Sequence, residues 1–390
     1  MADIRKRVGK KGTTYQVRYP SKSTKSGYAF KTFRTLKEAR EFSQNLGNLN
    51  QIVSSHIKTI PQAVELWLEI CEKEGRGDRD PVTPSTLKGY MLRADIINSY
   101  GWNISLHELK QPHVIDFRSW LKRNYSLYMA RRVLSSFHSI IMEMNQRGLM
   151  STDPAIGVTI QKQSRYDNPV AIPNQSEVKA LLQAADNLAN SKNKQIAFAW
   201  KRYRPMIYLA ASSGMRPQEY CALPKYDVLS DGVRVTQAVD KLGVIGPPKT
   251  KSARRLIPVS EIALDMIKHY METDECASQH DLVFPTQAGT AQLVDNFRSR
   301  AWYPLMKEAQ LMIEEKINGN VIVRPKYTLY SLRHFFASML IQKRTNLKRL
   351  QKLMGHADIQ ITFDTYGHLI DDLEAKEAQE SRALLSEILA

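Results

Sequence analysis

The chain has 390 residues, of which 43% are hydrophobic, and it carries a formal net charge of +17. This length is enough for two or three domains, and no apolar run is long enough to suggest a membrane-spanning segment. A positive charge of this size favours a protein that neutralises the phosphates of a nucleic acid, with a ribosome-associated or merely soluble basic protein as the alternative.

The cysteines and the N-terminus both indicate a reducing compartment. Cys71, Cys221 and Cys276 are far apart in sequence, which predicts neither a disulfide framework nor a CxxC metal site. The basic N-terminus lacks the apolar h-region of a secretory signal peptide. We therefore expect a cytoplasmic protein without a membrane partner or a bound metal.

Residues 1–55 are the most basic part of the chain and are predicted to form three strands and a helix. Alternating apolar residues predict strands at Thr14–Tyr19 and Tyr28–Phe33, with Asp3–Val8 as a third. Thr35 and Glu38 form a capping box, which predicts a helix that runs to about residue 46. The basic face of such a sheet can enter a major groove, and its candidate DNA contacts are Arg5, Lys6, Arg7, Lys10, Lys11, Arg18, Lys31 and Arg34.

Residues 56–160 are predicted to form a helical domain. Thr59 with Gln62 caps the first helix, and further helices are expected at Ser85–Tyr100, Pro112–Asn124 and Ser126–Arg147. A basic helical face is most often only solvated, but beside a basic sheet it becomes a candidate DNA surface. Its candidate contacts are Lys88, Arg93, Arg131 and Arg132. The polar segment 161–173 has the composition of an exposed interdomain linker.

Residues 174–390 are predicted to form a mixed α+β domain with a C-terminal tail. An apolar helix runs into Gly214, which breaks it, and Pro217 suits the first turn of the next helix. Arg216 therefore lies at a sharp turn between two helices. Strands at Gly232–Thr236 and Arg255–Val259 flank a lysine-bearing loop, and a long helix is expected from about residue 293 to residue 315.

The stretch from residue 330 to residue 366 contains an oxygen nucleophile, a fixed cation and a titratable donor, namely Tyr366, Arg333 and His356. A guanidinium that forks onto two non-bridging oxygens stabilises the charge of a phosphodiester under attack. Taken singly, each residue has an ordinary interpretation as a packing tyrosine, a surface arginine or a helix-end cap. Together they predict phosphoryl transfer.

Arg333, the Gly355-His356 pair and Tyr366 resemble the C-terminal signature of tyrosine recombinases, the phage integrase family. Ser213-Gly214-Met-Arg216-Pro-Gln-Glu219 is similar to the first catalytic box of that family. The resemblance implies that Arg216, Arg333 and His356 bind the scissile phosphate, that Tyr366 attacks it, and that Glu219 accompanies Arg216. It also implies a lysine general acid on the loop, for which Lys249 is the first candidate and Lys251 the second. Both lysines could equally be DNA phosphate contacts that carry no chemistry, and Lys251 is also a candidate DNA contact.

The sequence departs from the family pattern at Tyr330, where the family usually has a histidine. A tyrosine can donate a hydrogen bond to a phosphate oxygen, but it carries protons poorly at neutral pH. We expect activity to survive this change. His334, the residue after Arg333, is expected to point to a different face of the helix and not to substitute.

For the whole chain, the resemblance implies an arm-type DNA-binding domain at 1–55, a core-binding domain at 56–160 that closes on the duplex with the catalytic domain, and a linker that lets this clamp open. It implies a homotetramer on double-stranded DNA with core-type and arm-type sites, assisted by a DNA-bending protein and an excision factor. The expected reaction integrates and excises a mobile element such as a prophage through a 3′-phosphotyrosyl intermediate, without a cofactor, in a bacterial host cell. The acidic C-terminal tail docks either on its own domain or on a neighbouring protomer.

Two alternatives remain open. A type IB topoisomerase uses similar chemistry but reseals the same strand, and the basic N-terminal sheet argues against it because relaxation needs no second DNA site. A DNA-binding regulator that has lost activity is the other, and Tyr330 is the feature that favours it.

Overall fold

The computed structural model describes residues 3–9, 12–20, 28–40, 42, 57–77, 79–161, 170–273, 278, 280–317 and 319–389. Internal packing divides the chain into two compact units, Met1–Lys162 and Gln163–Ala390. The predicted boundaries at residues 55, 160 and 173 stay predictions, and most of the predicted linker lies outside the described residues. No helix in the described part of the chain combines the length and apolar character that crossing a bilayer requires.

The first unit begins with the predicted three-stranded sheet. Its strands are β1 (Asp3–Gly9), β2 (Gly12–Pro20) and β3 (Tyr28–Phe33), which pair antiparallel in the order β1-β2-β3. The capping box is also present, because the Glu38 backbone N–H donates to the Thr35 hydroxyl over 3.2 Å and the Thr35 N–H donates to the Glu38 carboxylate over 3.3 Å. Residues 36–40 are helical, and the predicted continuation to residue 46 lies outside the described residues.

Most described cations of this sheet lie at its surface. Exposed side chains are those of Arg5, Lys6, Arg7, Lys31 and Arg34. Arg18 is half-buried, and Lys10 and Lys11 lie outside the described residues. The Lys31 ammonium lies 4.8 Å from the centre of the Phe42 ring, so the long side chain covers part of the small core while its charge remains at the surface.

The remainder of the first unit is helical, as predicted. Its helices are α1 (Ile60–Glu69), α2 (Pro84–Asn98), α3 (Gln111–Asn124) and α4 (Leu127–Gln146). The capping box of Thr59 and Gln62 starts α1. Aromatic rings contribute to the core, where the half-buried Trp102 stacks on the buried Phe137 with ring centroids 5.1 Å apart. Burial of these large rings holds the four helices together.

Arg93 does not lie on an exposed polar face, so its predicted placement is wrong. Its side chain is 7% exposed, its Nε donates to the Ser136 hydroxyl over 2.7 Å, and its guanidinium lies 4.8 Å from the centre of the Tyr90 ring. Lys88 and Arg132 are exposed, and Arg131 is half-buried. Arg93 is therefore part of the contact between α2 and α4 rather than part of the basic surface.

The second unit is a mixed α+β domain. Its helices are α5 (Gln175–Ala189), α6 (Lys194–Ser213), α7 (Pro217–Tyr220), α8 (Glu261–Thr273), α9 (Val294–Phe297), α10 (Tyr303–Glu308), α11 (Tyr330–Gln342), α12 (Leu347–Met354) and α13 (Ile359–Leu389). Its strand pairs are β4 (Gly232–Val235) with β7 (Arg255–Pro258), β5 (Ala238–Val239) with β6 (Ile245–Gly246), and β8 (Met312–Ile317) with β9 (Asn320–Pro325). A core that includes Tyr220, Phe297 and Trp302 joins these elements.

The predicted long helix at 293–315 is wrong from residue 309 onward. Helical structure ends at Glu308, Gln310 adopts a left-handed φ of 55°, and β8 pairs with β9 in a hairpin whose last register pair is Ile317 with Asn320. The Asn-Gly dipeptide at 318–319 between two strand-like runs is a strong hairpin signal, which the helical prediction overlooked. Gly319 has a φ of 83°, as such a turn requires.

Candidate functional site

Arg216 is held at the turn between α6 and α7. Gly214 ends α6 with a left-handed φ of 61°, and Arg216 is the residue that precedes the first turn of α7. The Glu219 carboxylate accepts two hydrogen bonds from Arg216, one from the backbone N–H over 2.8 Å and one from Nη1 over 2.9 Å. Since a helix N-terminus disfavours a cation, Glu219 is the anion that keeps Arg216 in this position.

Arg255, at the start of β7, was not among the predicted site residues. Its side chain is 1% exposed and donates to Glu219 through Nη2 over 2.8 Å and through Nη1 over 3.1 Å. Alternation along β7 was the available signal, because it places Arg255 on the same buried face as Ile257. Burial raises the pKa of Glu219, but the hydrogen bonds and charges of Arg255 and Arg216 outweigh it and the pKa lies below its usual value.

Arg333 lies on α11 and is 5% exposed. Its Nη1 donates to the Gly214 carbonyl over 2.6 Å, and its Nη2 donates to the Met354 carbonyl and contacts His356 Nε2 at 3.2 Å. Burial and the nearby Arg216 lower the pKa of Arg333 to about 9, so the guanidinium stays charged at neutral pH.

Three consecutive backbone carbonyls at the C-terminus of α12 each accept a hydrogen bond from a different arginine. Arg255 Nε donates to Leu353 over 2.6 Å, Arg333 Nη2 donates to Met354, and Arg216 Nη2 donates to Gly355 over 3.1 Å. The last carbonyls of a helix have no partner within the helix and carry partial negative charge, so they attract cations. We call Arg216, Arg255 and Arg333 the arginine cluster.

His356 follows the helix stop at Gly355, which has a φ of 62°, and its side chain belongs to the same group. Its Nδ1 lies 2.9 Å from the Thr362 hydroxyl, and its Nε2 faces Arg333. Because a guanidinium has only donors, Nε2 must accept and Nδ1 carries the proton. Burial, followed by the charges of the arginine cluster, lowers the pKa of His356 to about 3, so the ring is neutral at pH 7.

Tyr366 is buried on α13, and His334 is its hydrogen-bond partner. The Tyr366 side chain is 1% exposed, and its Oη lies 2.9 Å from His334 Nδ1. The expectation that His334 points away from the site is therefore wrong, since it lies one helical turn after Tyr330 and thus on the same side of α11. Burial raises the pKa of Tyr366 to about 12, against the opposing charges of Arg333 and Arg216.

The remaining predicted residues lie nearer to solvent. Tyr330 begins α11, is 38% exposed and donates from its hydroxyl to Gln218 over 3.0 Å. Lys249 and Lys251 are both exposed, between β6 and β7.

Within the described ranges, no three His, Cys, Asp or Glu side chains are grouped so as to hold a metal ion. The protein groups thus brought together are the arginine cluster, Glu219, His356, His334 and Tyr366.

This group carries more positive than negative charge. The arginine cluster contributes three cations, and Glu219 is the carboxylate to which Arg216 and Arg255 bind. Fixed, preorganised donors of this kind stabilise an anion in a site shielded from water. The arrangement suits a phosphate whose negative charge increases during a reaction.

Comparison with known sequences gives the family of the chain. A model described as the phage integrase family matches residues 174–372, just over half of the chain. The chain is 24% identical over 372 residues to the prophage integrase IntR of Escherichia coli, a match that covers 89% of this chain and 85% of IntR. It is 25% identical over 313 residues to the tyrosine recombinase XerD of Pseudomonas putida, covering 78% of this chain and 90% of XerD.

Comparison with solved structures gives the same fold. The Tn1549 transposon integrase, solved in complex with a circular intermediate DNA, matches with a TM-score of 0.63 at 17% identity and covers 83% of this chain and 99% of its own. A lambda integrase dimer bound to a COC′ core site matches with a TM-score of 0.57 at 17% identity, covering 80% of this chain and 96% of its own. The match to more than half of the sequence establishes that this chain belongs to the phage integrase family, and its relatives identify it as a tyrosine recombinase.

Proposed function

We propose that the chain is a site-specific DNA recombinase that cleaves and rejoins strands through a bond between Tyr366 and a 3′ phosphate. The observation that carries the proposal is the excess positive charge of the arginine cluster over Glu219. Cations that are buried without enough anions are costly, and a bound phosphodiester supplies the missing negative charge.

In the proposed reaction, Tyr366 Oη attacks phosphorus as the bond from phosphorus to the 5′ oxygen breaks. Arg216 and Arg333 bind the non-bridging oxygens, and Lys249, or else Lys251, protonates the 5′ oxygen. The phosphotyrosyl bond retains the energy of the phosphodiester, so the 5′-hydroxyl of another strand can reverse the step without ATP. His356 donates to the phosphate only when Nε2 carries a proton, which requires DNA to replace its present contact with Arg333.

The proposed substrate is double-stranded DNA with core-type and arm-type sites. The solved relatives include a transposon integrase and a lambda integrase dimer, each bound to DNA, which supports this choice. The exposed cations of β1 are suited to the phosphates of an arm-type site, and Lys88 and Arg132 to those of a core-type site. Glu219 is proposed to hold Arg216 at the phosphate site. Tyr330 occupies the position at the start of α11 where the family usually has a histidine. Lys251 is proposed to contact the DNA backbone.

We further propose that four copies assemble on DNA, with a DNA-bending protein and an excision factor controlling direction, inside a bacterial host cell. The exposure of Ile388 and Leu389 at the end of α13 supports docking of this tail on a neighbouring protomer. The chain is proposed to integrate and excise a mobile element such as a prophage, a choice supported by its similarity to the prophage integrase IntR.

The direct test is covalent capture on DNA that flanks the gene, prepared as a nicked duplex whose cleaved end diffuses away. The unmodified protein is expected to become attached to the DNA, and peptide mapping is expected to place the attachment at Tyr366. Tyr366→Phe is expected to form no adduct, whereas Tyr226→Phe, which alters an exposed tyrosine of the same unit, retains it. Absence of any adduct would contradict catalysis, and relaxation of one plasmid without joining of two would favour a topoisomerase.

A further inference from the structure

His334 is the hydrogen-bond partner of the phenol that the reaction uses. Its Nδ1 lies 2.9 Å from Tyr366 Oη, and the two rings meet edge to face with centroids 5.7 Å apart. No other hydrogen bond to this phenol oxygen is present in the part of the chain that the structure describes. Since Tyr366 is 1% exposed, bulk water does not compete for its proton.

The other candidate proton acceptors near the arginine cluster are His356, Glu219 and Tyr330, and each already makes hydrogen bonds to other groups. Both ring nitrogens of His356 are engaged, Nε2 with Arg333 at 3.2 Å and Nδ1 with Thr362 at 2.9 Å. The Glu219 carboxylate is bound by Arg216 and Arg255. The Tyr330 hydroxyl donates a hydrogen bond to Gln218, and a tyrosine is a poor proton carrier at neutral pH.

We propose that His334 is a catalytic residue that accepts the phenolic proton of Tyr366 as the nucleophile attacks. The inference rests on the proposed recombinase function. The proton moves from Oη to Nδ1 while the bond from Oη to phosphorus forms and the bond from phosphorus to the 5′ oxygen breaks, and that oxygen takes a proton from the general acid. In the reverse step, His334 returns the proton to Oη as the phosphotyrosyl bond breaks.

The charges around His334 explain why the transfer is coupled to DNA binding. The groups that face it are Tyr366, Arg333 and His356. Burial, followed by the charge of Arg333, lowers the pKa of His334 to about 4, while the pKa of Tyr366 is raised to about 12. The proton therefore stays on the phenol in the free protein. A phosphate on the arginine cluster adds negative charge, which favours a protonated His334.

The position of His334 on α11 also accounts for the tyrosine at position 330. Residues four apart on a helix lie on the same face, so His334 presents an imidazole one turn beyond the place where relatives usually carry one. Tyr330 does not need to move a proton if His334 does so.

The test is the rate of adduct formation by His334→Asn on the nicked duplex that the unmodified protein cleaves. Asparagine can accept the Tyr366 hydrogen bond through Oδ1 but does not take a proton at neutral pH, so this variant separates positioning from proton transfer. Loss of a general base is expected to slow cleavage by about 10²–10⁴-fold. His269→Asn, at an exposed histidine of the same unit, is the matched control and is expected to cleave normally.

The pH profile is the decisive readout. The unmodified protein is expected to cleave at a constant rate from about pH 7.5 to pH 9, because burial lowers the pKa of His334 and a bound phosphate restores it only in part, so that His334 is neutral in this range. His334→Asn is expected to speed up by about tenfold per pH unit, because hydroxide must then remove the phenolic proton. A substrate with sulfur as the 5′ leaving atom needs no general acid, so it is expected to rescue Lys249→Ala but not His334→Asn.

The results separate this inference from the proposed function. If the unmodified protein forms no adduct, the recombinase proposal fails and the role of His334 fails with it. If it forms the adduct and His334→Asn matches its rate and flat profile, only the role of His334 is overturned. A slow His334→Asn variant with a flat profile would show that the residue positions Tyr366 without accepting its proton, which also overturns the proposal. Thermal unfolding of each variant shows whether the fold is intact.

Discussion

Arg255 binds Glu219 through two N–H···O bonds of 2.8 and 3.1 Å, and both side chains are almost fully buried. Glu219 also binds Arg216 over 2.9 Å, so one carboxylate anchors two members of the arginine cluster. The same two arginines reach the carbonyls of Leu353 and Gly355. The ion pair therefore connects the turn that carries Arg216 to the helix end that carries His356.

Glu219→Gln is expected to destabilise the catalytic unit by about 3–5 kcal/mol, because it leaves buried Arg255 without its anion. Urea unfolding of the full chain measures the loss. Glu308→Gln, at an exposed carboxylate of the same unit, is the control and is expected to change stability by less than about 0.5 kcal/mol. An equally small effect of Glu219→Gln would show that the pair does not hold the turn in place.

The same pair predicts a loss of stability in acid. Since the pKa of Glu219 is lowered in the folded protein, its contribution is present above the usual carboxylate pKa and is lost as pH falls through the folded value. Unfolding free energy measured below pH 4.5 is expected to fall more steeply for the unmodified protein than for Glu219→Gln. Parallel curves for the two proteins would contradict the assignment.

Gly355→Ala is expected to cost about 1–3 kcal/mol and to reduce cleavage. Its φ of 62° disfavours any side chain, and an added Cβ would lie 2.9 Å from Arg255 Nη1. Gly319→Ala, where φ is 83° and the surrounding space is open, measures the backbone contribution alone. The prediction is that only Gly355→Ala slows adduct formation, because only it displaces the arginine cluster.

The buried His356 and the half-buried His334 predict a dependence of stability on mild acid. The folded pKa values of His334 and His356, about 4 and about 3, lie below the ordinary value near 6.5. Stability from these groups is thus present above pH 6.5 and falls as pH is lowered towards 4, because the unfolded chain binds protons first. At pH 5, unfolding of His334→Asn is expected to take up about one proton fewer than unfolding of the unmodified protein.

Arg93 and Lys88 are expected to behave in opposite ways. Arg93→Ala leaves the buried Ser136 hydroxyl without its partner and is expected to destabilise the first unit by about 1–3 kcal/mol. Lys88→Ala is expected to leave stability unchanged. It is expected to reduce the slope of log DNA affinity against log salt concentration by about one, the amount that the loss of one phosphate contact gives. Salt titrations of DNA affinity and thermal unfolding of both variants distinguish the two roles, and a reduced salt slope for a stable Arg93→Ala would contradict the assignment.

Local signals in the sequence were enough for much of the fold and for part of the site. The capping boxes at Thr35 and Thr59, the three N-terminal strands and the helix stop at Gly214 depend on neighbouring residues, so they could be predicted. The hairpin of β8 and β9 was also signalled locally and was missed because the preceding apolar residues favoured a longer helix.

The sequence by itself determined the family, the helical and stranded segments and the residue types that suit phosphate chemistry, because each is written in short stretches of chain. Only the tertiary structure decided which side chains meet. The pairing of Arg255 with Glu219 spans 36 residues and that of His334 with Tyr366 spans 32, and the burial of Arg93 depends on Ser136, 43 residues away. Such contacts depend on how helices pack against one another, which spacing along the chain does not specify.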